Sequence, residues 1–201
     1  MIQSNFTENL PYRIFTLAVM AAFYGIYFSK MISQKKKGIT TNQIGTRKEK
    51  KLHTVETLMA AATYGIVPVQ LLSVCMNCSA LPDNARFTGL LTGILGDIIF
   101  LCAVLDMKDS WRAGIPESDK TLLVTNGIYR FSRNPAFLGF DMMYIGILLM
   151  YFNLLNAAFT AFAVVMLHLQ ILQEEKFMLA SFGEAYADYK NQVFRYLGRK
   201  I

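Results

Sequence analysis

The sequence predicts an all-α, polytopic membrane protein with about five transmembrane helices, the last two closing into a C-terminal hairpin. Three observations predict it. Of the 201 residues, 54% are hydrophobic. The apolar residues are bunched into runs rather than spread at helical or strand period, which is the mark of a bilayer-embedded chain. The cations are concentrated in one loop, as topology signals are.

The first run, "IFTLAVMAAFYGIYFS" (14–29), follows "MIQSNFTENLPYR", whose only cation is Arg13. No small-x-small cleavage site follows, so it reads as a retained helix rather than a signal peptide. The second, "ETLMAAATYGIVPVQLLSVCM" (56–76), starts at Glu56, near enough to the water to snorkel. The third, "FTGLLTGILGDIIFLCAVL" (87–105), carries Gly89, Gly93 and Gly96 at close-packing spacing. Asp97 follows at mid-span, and an intramembrane acid is a functional candidate. The fourth and fifth are "FLGFDMMYIGILLMYF" (137–152) and "LLNAAFTAFAVVMLHLQIL" (154–172). A span needs roughly 17–25 residues. The second, third and fifth runs meet that, whereas the first and fourth are short and call for tilt, thinning or partial insertion.

Net charge is +6, and the loop 30–51 holds eight Lys/Arg against one Glu. The positive-inside rule puts that loop in the cytoplasm. Five spans then place the N-terminus outside, and segment 106–136 and the C-terminus inside. The membrane would be the plasma membrane in a prokaryote and the endoplasmic reticulum in a eukaryote. The lipid bilayer is the implied partner. The basic loop reads as a topology signal, with no nucleic acid as partner. Cys75-x-x-Cys78 is half a metal site with no second ligand pair, so no metal is expected.

Composition shifts near Asp106. Residues 1–105 form a three-helix membrane region. Residues 106–201 carry the chemistry, with a hairpin at 136–172 and a cytoplasmic tail, within one integrated domain. Only Asn153 separates the last two runs, so the start of the fourth helix and the end of the fifth must lie side by side. At the first stands Arg133-Asn134-Pro135. Asn is a favoured N-cap and Pro a favoured first residue, so free N–H groups and the helix dipole make an anion site. Arg133 and Arg130 add cations. At the second stand Gln170, Glu174 and Glu175, with Gln170 and Glu174 on one helix face. Tyr129, Phe131, Phe137 and Phe177 supply aromatic walls. An anion site, an acidic site and stacking surfaces together match S-adenosylmethionine, with S-adenosylhomocysteine as product. A snorkelling collar around an ordinary helix pair explains the same charges separately. Asp141, Glu175 and His168 are candidates for a base. His168 reads more simply as a packing histidine.

The stretches "LVTNGIYRFSRNPAFLG" (123–139) and "QEEKFMLASFGEAYADY" (173–189) resemble the isoprenylcysteine carboxyl methyltransferase and phospholipid methyltransferase group. "SWRAGI" (110–115) resembles its prokaryotic-like branch. The likeness runs from Lys108 to the tail, and the first three spans carry no signature. It implies a cytoplasmic cofactor site and a lipophilic methyl acceptor: prenylcysteine-like, phospholipid-like or another small hydrophobic molecule. Carried over by position, Thr121, Leu122, Leu123 and Val124 form a cofactor wall, Gly127 the turn, and Tyr129 a cofactor-contacting aromatic. Asn134, Pro135, Ala136 and Phe137 match a His-Pro-x-Tyr segment, and Glu174 a cofactor-binding glutamate. Arg133 is the catalytic candidate, holding the cofactor carboxylate. Arg112 is the candidate for an acceptor's anionic head group. Asn134 stands for the commoner His and Phe137 for the commoner Tyr, so no imidazole acts there. The tail lacks the common Pro near "QVFRYLGR". Gln170 stands where prenylcysteine enzymes carry a substrate-binding Arg, which argues against a prenylcysteine carboxylate. A sterol-type reductase using NADPH, with Arg130, Arg133 and Lys120 for the extra phosphate, is the rival enzyme class. A non-enzymatic membrane scaffold is the third reading.

Overall fold

A computed structural model of the chain describes residues 9–45, 50–77, 79–115 and 122–200. Among these residues six α-helices follow in order: α1 (Leu10–Lys36), α2 (Lys50–Cys75), α3 (Asp83–Met107), α4 (Pro135–Met150), α5 (Leu154–Phe182) and α6 (Glu184–Gln192). Short 3₁₀ turns at Lys108–Ser110 and Gly127–Arg130 link α3 to α4. Among the described residues no strand forms, only two isolated bridges. Helices α1, α2, α3 and α5 are long and apolar enough to cross a bilayer, and α4 is a shorter apolar helix. The chain is an all-α, polytopic membrane protein.

The helices overrun the apolar runs. α1 has 27 residues and absorbs Lys30, Lys35 and Lys36, so the first span is not short and the basic loop is shorter than its sequence. α5 continues ten residues past its apolar run and so carries Glu174 and Glu175 on regular helix. α4 does stay short. Its 16 residues reach about 24 Å, less than a bilayer core of about 30 Å. It is enclosed by neighbours instead, with Met143, Tyr144, Ile147 and Met150 fully buried.

The glycines predicted for close packing do that. α3 and α4 run antiparallel, and two glycines of each face each other. A Cβ on Gly96 would sit 2.8 Å from the Gly139 carbonyl oxygen, and one on Gly146 would sit 2.6 Å from that of Gly89. Gly93 also receives Val19 of α1, 3.2 Å from where its Cβ would be. Phe23 of α1 stacks on Phe100 of α3 with centroids 4.4 Å apart, and Phe140 meets Phe23 edge-on at 4.6 Å. α2 packs against α5 on the opposite flank.

The turn between α4 and α5 is Tyr151–Asn153, slightly longer than Asn153 alone. Asn153 caps α5 by accepting from Asn156 N at 2.9 Å and donates to Ser73 Oγ of α2 at 2.9 Å. At this end Arg13 donates to the carbonyls of Val74 and Cys75, tying α1 to α2. Cys78 lies outside the described residues.

Candidate active site

The candidate site lies at the opposite end of the bundle, and its roof is knitted from loops. Gln34, fully buried at the end of α1, donates to Trp111 O at 3.0 Å and accepts from Thr41 Oγ1 at 2.7 Å. Gln43 N donates to Ala113 O at 2.7 Å, and Ala113 N to Thr41 O at 2.9 Å. Gly114 (φ +87°) runs so close to Ile44 that a Cβ would sit 2.9 Å from its nitrogen. Glu56 does not snorkel. It is fully buried, and its carboxylate accepts from Gly45 N at 2.7 Å and Ile115 N at 3.4 Å. These bonds hold segment 111–115 between α1 and α2.

Beneath the roof lies a cavity of about 510 Å³. α1 lines it with Tyr24, Tyr27 and Phe28, and α2 with Met59, Thr63, Tyr64, Val67 and Pro68. α4 contributes Ala136, Phe137, Phe140 and Tyr144, and α5 contributes Leu167, Gln170 and Glu174. The roof adds Trp111, Arg112, Ala113 and Gly114. The walls are mostly apolar and aromatic, and their charged or amide-bearing residues are Arg112 on the roof and Gln170 and Glu174 on α5. Arg112 Nη1 donates to Asp109 O at 2.6 Å and Trp111 O at 2.9 Å, which turns the guanidinium along the roof. Gln170 Nε2 donates to Glu174 Oε1 at 3.2 Å.

The start of α4 and the end of α5 do lie side by side, but the partner there is Glu175, not Glu174. Arg133 Nη2 pairs with Glu175 Oε1 at 3.0 Å, both side chains being almost fully buried. Arg195 of the tail forks onto the same carboxylate at 3.0 and 2.9 Å. Asn134 precedes Pro135 at the helix start, yet its side chain makes no cap. Its Nδ2 donates instead to Arg195 O at 3.1 Å and Glu175 Oε1 at 3.5 Å. Nε and Nη1 of Arg133 are buried with no hydrogen-bond partner.

On the other side of this cluster Tyr129 is buried among Leu123, Val124, Ala136, Tyr186 and Tyr189. Tyr189 Oη donates to Tyr129 O at 2.7 Å and Ser132 O at 3.3 Å. Burial pushes the Tyr129 hydroxyl far above its usual range, with the charges of Glu174 and Asp106 adding to it, so it stays a donor. Asp106 Oδ2 accepts from Ile128 N at 2.7 Å and fixes the turn at Gly127, where φ is +58°.

The predicted residues therefore divide. Arg112, Ala136, Phe137, Gln170 and Glu174 line the cavity. Leu123, Val124 and Tyr129 pack against the opposite side of Ala136. Arg133, Asn134 and Pro135 join the two at the start of α4. Leu122 is 75% exposed and forms no wall, and Thr121 and Lys120 lie outside the described residues. Of the candidate bases, Asp141, Glu175 and His168 are absent from the cavity lining. His168 Nδ1 instead lies 2.7 Å from Tyr196 Oη, which supports the packing role. Sequence reasoning missed Gln34, Glu56 and the tyrosines of α1 and α2. The one available signal was Glu56, a lone acid opening an apolar run.

Residues 89–180 match the profile of the isoprenylcysteine carboxyl methyltransferase (ICMT) family. This part of the chain, 92 of its 201 residues, is similar to that family. The ICMT match begins inside α3, further upstream than the motifs near Lys108, and so takes in the glycines that face α4. Protein-S-isoprenylcysteine O-methyltransferase of Tribolium castaneum is 31% identical over 108 residues, covering 52% of this chain and 38% of that protein. Protein-S-isoprenylcysteine O-methyltransferase A of Arabidopsis thaliana is 34% identical over 110 residues, covering 52% and 55%. The enzyme of that name from Saccharomyces cerevisiae is 37% identical over 78 residues, covering 38% and 32%. The ICMT-like portion thus spans about one third to three fifths of the curated relatives it matches. The cavity residues of α1 and α2 fall outside the profile match.

Proposed function

We propose that this chain is an S-adenosylmethionine-dependent membrane methyltransferase acting on a lipophilic acceptor. The observation that carries the proposal is the cavity. It joins an aromatic chamber at bilayer depth to a polar corner beside the start of α4, so a lipid and a water-soluble donor can meet there.

The residues fit the donor. The free N–H groups of the first turn of α4, with the Arg133 guanidinium beside them at the helix start, are suited to its carboxylate. Glu174 is placed to accept from its amino group or ribose, with Tyr129 and Phe137 as flanking aromatics. When bound, S-adenosylmethionine supplies a methyl group already activated on a sulfonium. The protein's part is then positioning, electrostatics and exclusion of water. Arg133 binds and is itself held by Glu175. Phe137, Phe140 and Trp111 keep water from the acceptor. The cavity wall between α1 and α2, which touch each other only lightly, is the acceptor's route from the bilayer. The lysines Lys35, Lys36, Lys37, Lys50 and Lys51 support a reading with the site on the cytoplasmic side and the N-terminus outside.

Calorimetric titration of the detergent-purified protein tests this. S-adenosylmethionine and S-adenosylhomocysteine are expected to bind, and NADPH not to. Glu174→Ala is expected to weaken S-adenosylhomocysteine by roughly tenfold or more. Binding of NADPH alone would overturn the proposal in favour of a reductase.

A further inference from the structure

Gln170 is fully buried on α5 and lines the polar corner of the cavity. Its Nε2 donates to Glu174 Oε1 at 3.2 Å. In this arrangement the amide nitrogen faces Glu174. The remaining atom, Oε1, is buried with no partner. A buried acceptor left unmet is costly, and a site that holds one selects ligands that satisfy it. Beside it stands a second acceptor, Glu174, and the cavity lining also holds Arg112 and the hydroxyls of Thr63 and several tyrosines. Arg112 Nη1 is already spent on the carbonyls of Asp109 and Trp111.

A carboxylate head would bring only acceptors to a corner that already presents two. An amine or hydroxyl brings the missing donor. Resting on the methyltransferase reading above, we infer that the acceptor is a lipid whose reacting head carries an N–H or O–H, and that Gln170 is the specificity-determining residue that receives it. The transfer balances with the groups present. The lone pair of the heteroatom forms the bond to the methyl carbon, the carbon–sulfur pair stays on sulfur as a neutral thioether, and the proton that Gln170 Oε1 held in the bound acceptor is released from the methylated heteroatom to the adjacent Glu174 carboxylate.

Trp111 is the chain's single tryptophan and lines the same cavity, so its fluorescence reports occupancy without turnover. Three C15 prenyl probes of equal chain length are titrated without nucleotide: the alcohol, the amine and the carboxylic acid. The alcohol or the amine is expected to bind roughly tenfold or more tightly than the acid, and the order of those two identifies the heteroatom. Gln170→Arg is expected to reverse the ranking in favour of the acid. Gln170→Met, similar in shape and without the acceptor, is expected to bring the three probes together. Acid binding as tight as the others in the wild type, or a ranking unmoved by Gln170→Met, overturns the inference. S-adenosylhomocysteine is titrated separately. Its failure to bind overturns the methyltransferase reading, whereas an acid-preferring ranking with that binding intact overturns only the role of Gln170.

Discussion

Replacing Glu175 by Gln removes one negative charge from a cluster that contains two guanidiniums. Arg133 is the sensitive one, because its side chain is only 6% exposed and Glu175 is its ion-pair partner at 3.0 Å. Breaking a buried pair from one side costs about 3–5 kcal/mol, since the other charge is left uncompensated. Arg195 is 34% exposed and regains water, so its half of the fork contributes about 0–1 kcal/mol. For a chain of this size each kcal/mol moves the midpoint by roughly 2–4 °C, so Glu175→Gln should lower it by roughly 6–20 °C. Arg195→Gln should move it by no more than about 4 °C. Trp111 fluorescence during heating measures both. Limited trypsin digestion adds a local readout, because Arg195 and Arg199 should be cut faster once the fork is lost. A Glu175→Gln protein that melts within about 2 °C of the wild type, with an equally resistant tail, would refute the claim that this carboxylate holds the start of α4, the end of α5 and the tail together.

Gly96→Leu should force α3 off α4, because the backbone of Gly139 and Met143 lies within 2.9 Å of the new Cβ; size-exclusion chromatography in detergent should show loss of the monodisperse protein, whereas Gly25→Leu, in open space, should behave as the wild type. Glu56→Ala should strand the amide of Gly45 at about 1–3 kcal/mol, and red-shifted Trp111 emission should report the loosened roof. Tyr189→Phe should cost about 1 kcal/mol through the lost bonds to Tyr129 O and Ser132 O, read as a small fall in the melting midpoint. Burial, with help from the Glu175 charge, raises the Tyr186 hydroxyl from 10.0 to about 12. The neutral phenol is the favoured form in the fold, so its contribution to stability is whole below pH 10.0 and falls as pH climbs towards 12. Tyr186→Phe should flatten that alkaline decline in a series of thermal melts.

The helices were legible because a bilayer forces apolar residues into runs, and the hairpin because its connecting turn is so short. That geometry alone brought Arg133 towards Glu175. It could not choose between Glu174 and Glu175, which are adjacent in sequence and about 100° apart around the helix. Packing of the tail decides, since Arg195 arrives at Glu175 and leaves Glu174 to the cavity. Nothing in the sequence ties "RYLGR" to Asn134. The first three spans looked silent for a related reason. Tyr24, Tyr27 and Tyr64 are indistinguishable in sequence from aromatics facing lipid, and Gln34 sits among lysines that signal only topology. The role of Tyr24, Tyr27 and Gln34 appears once the loops from α1 and the segment after α3 close over them, whereas Tyr64 lines the cavity while still 64% exposed.

The paired glycines of α3 and α4 have a mechanical consequence. Backbones in such contact can come no closer, so α3 acts as a fixed stop behind α4. α3 supplies nothing to the cavity lining, and α4 cannot yield towards α3. Any swelling of the chamber to admit a bulky guest is therefore carried by α1, α2 and the roof that Glu56 and Gln34 pin between them.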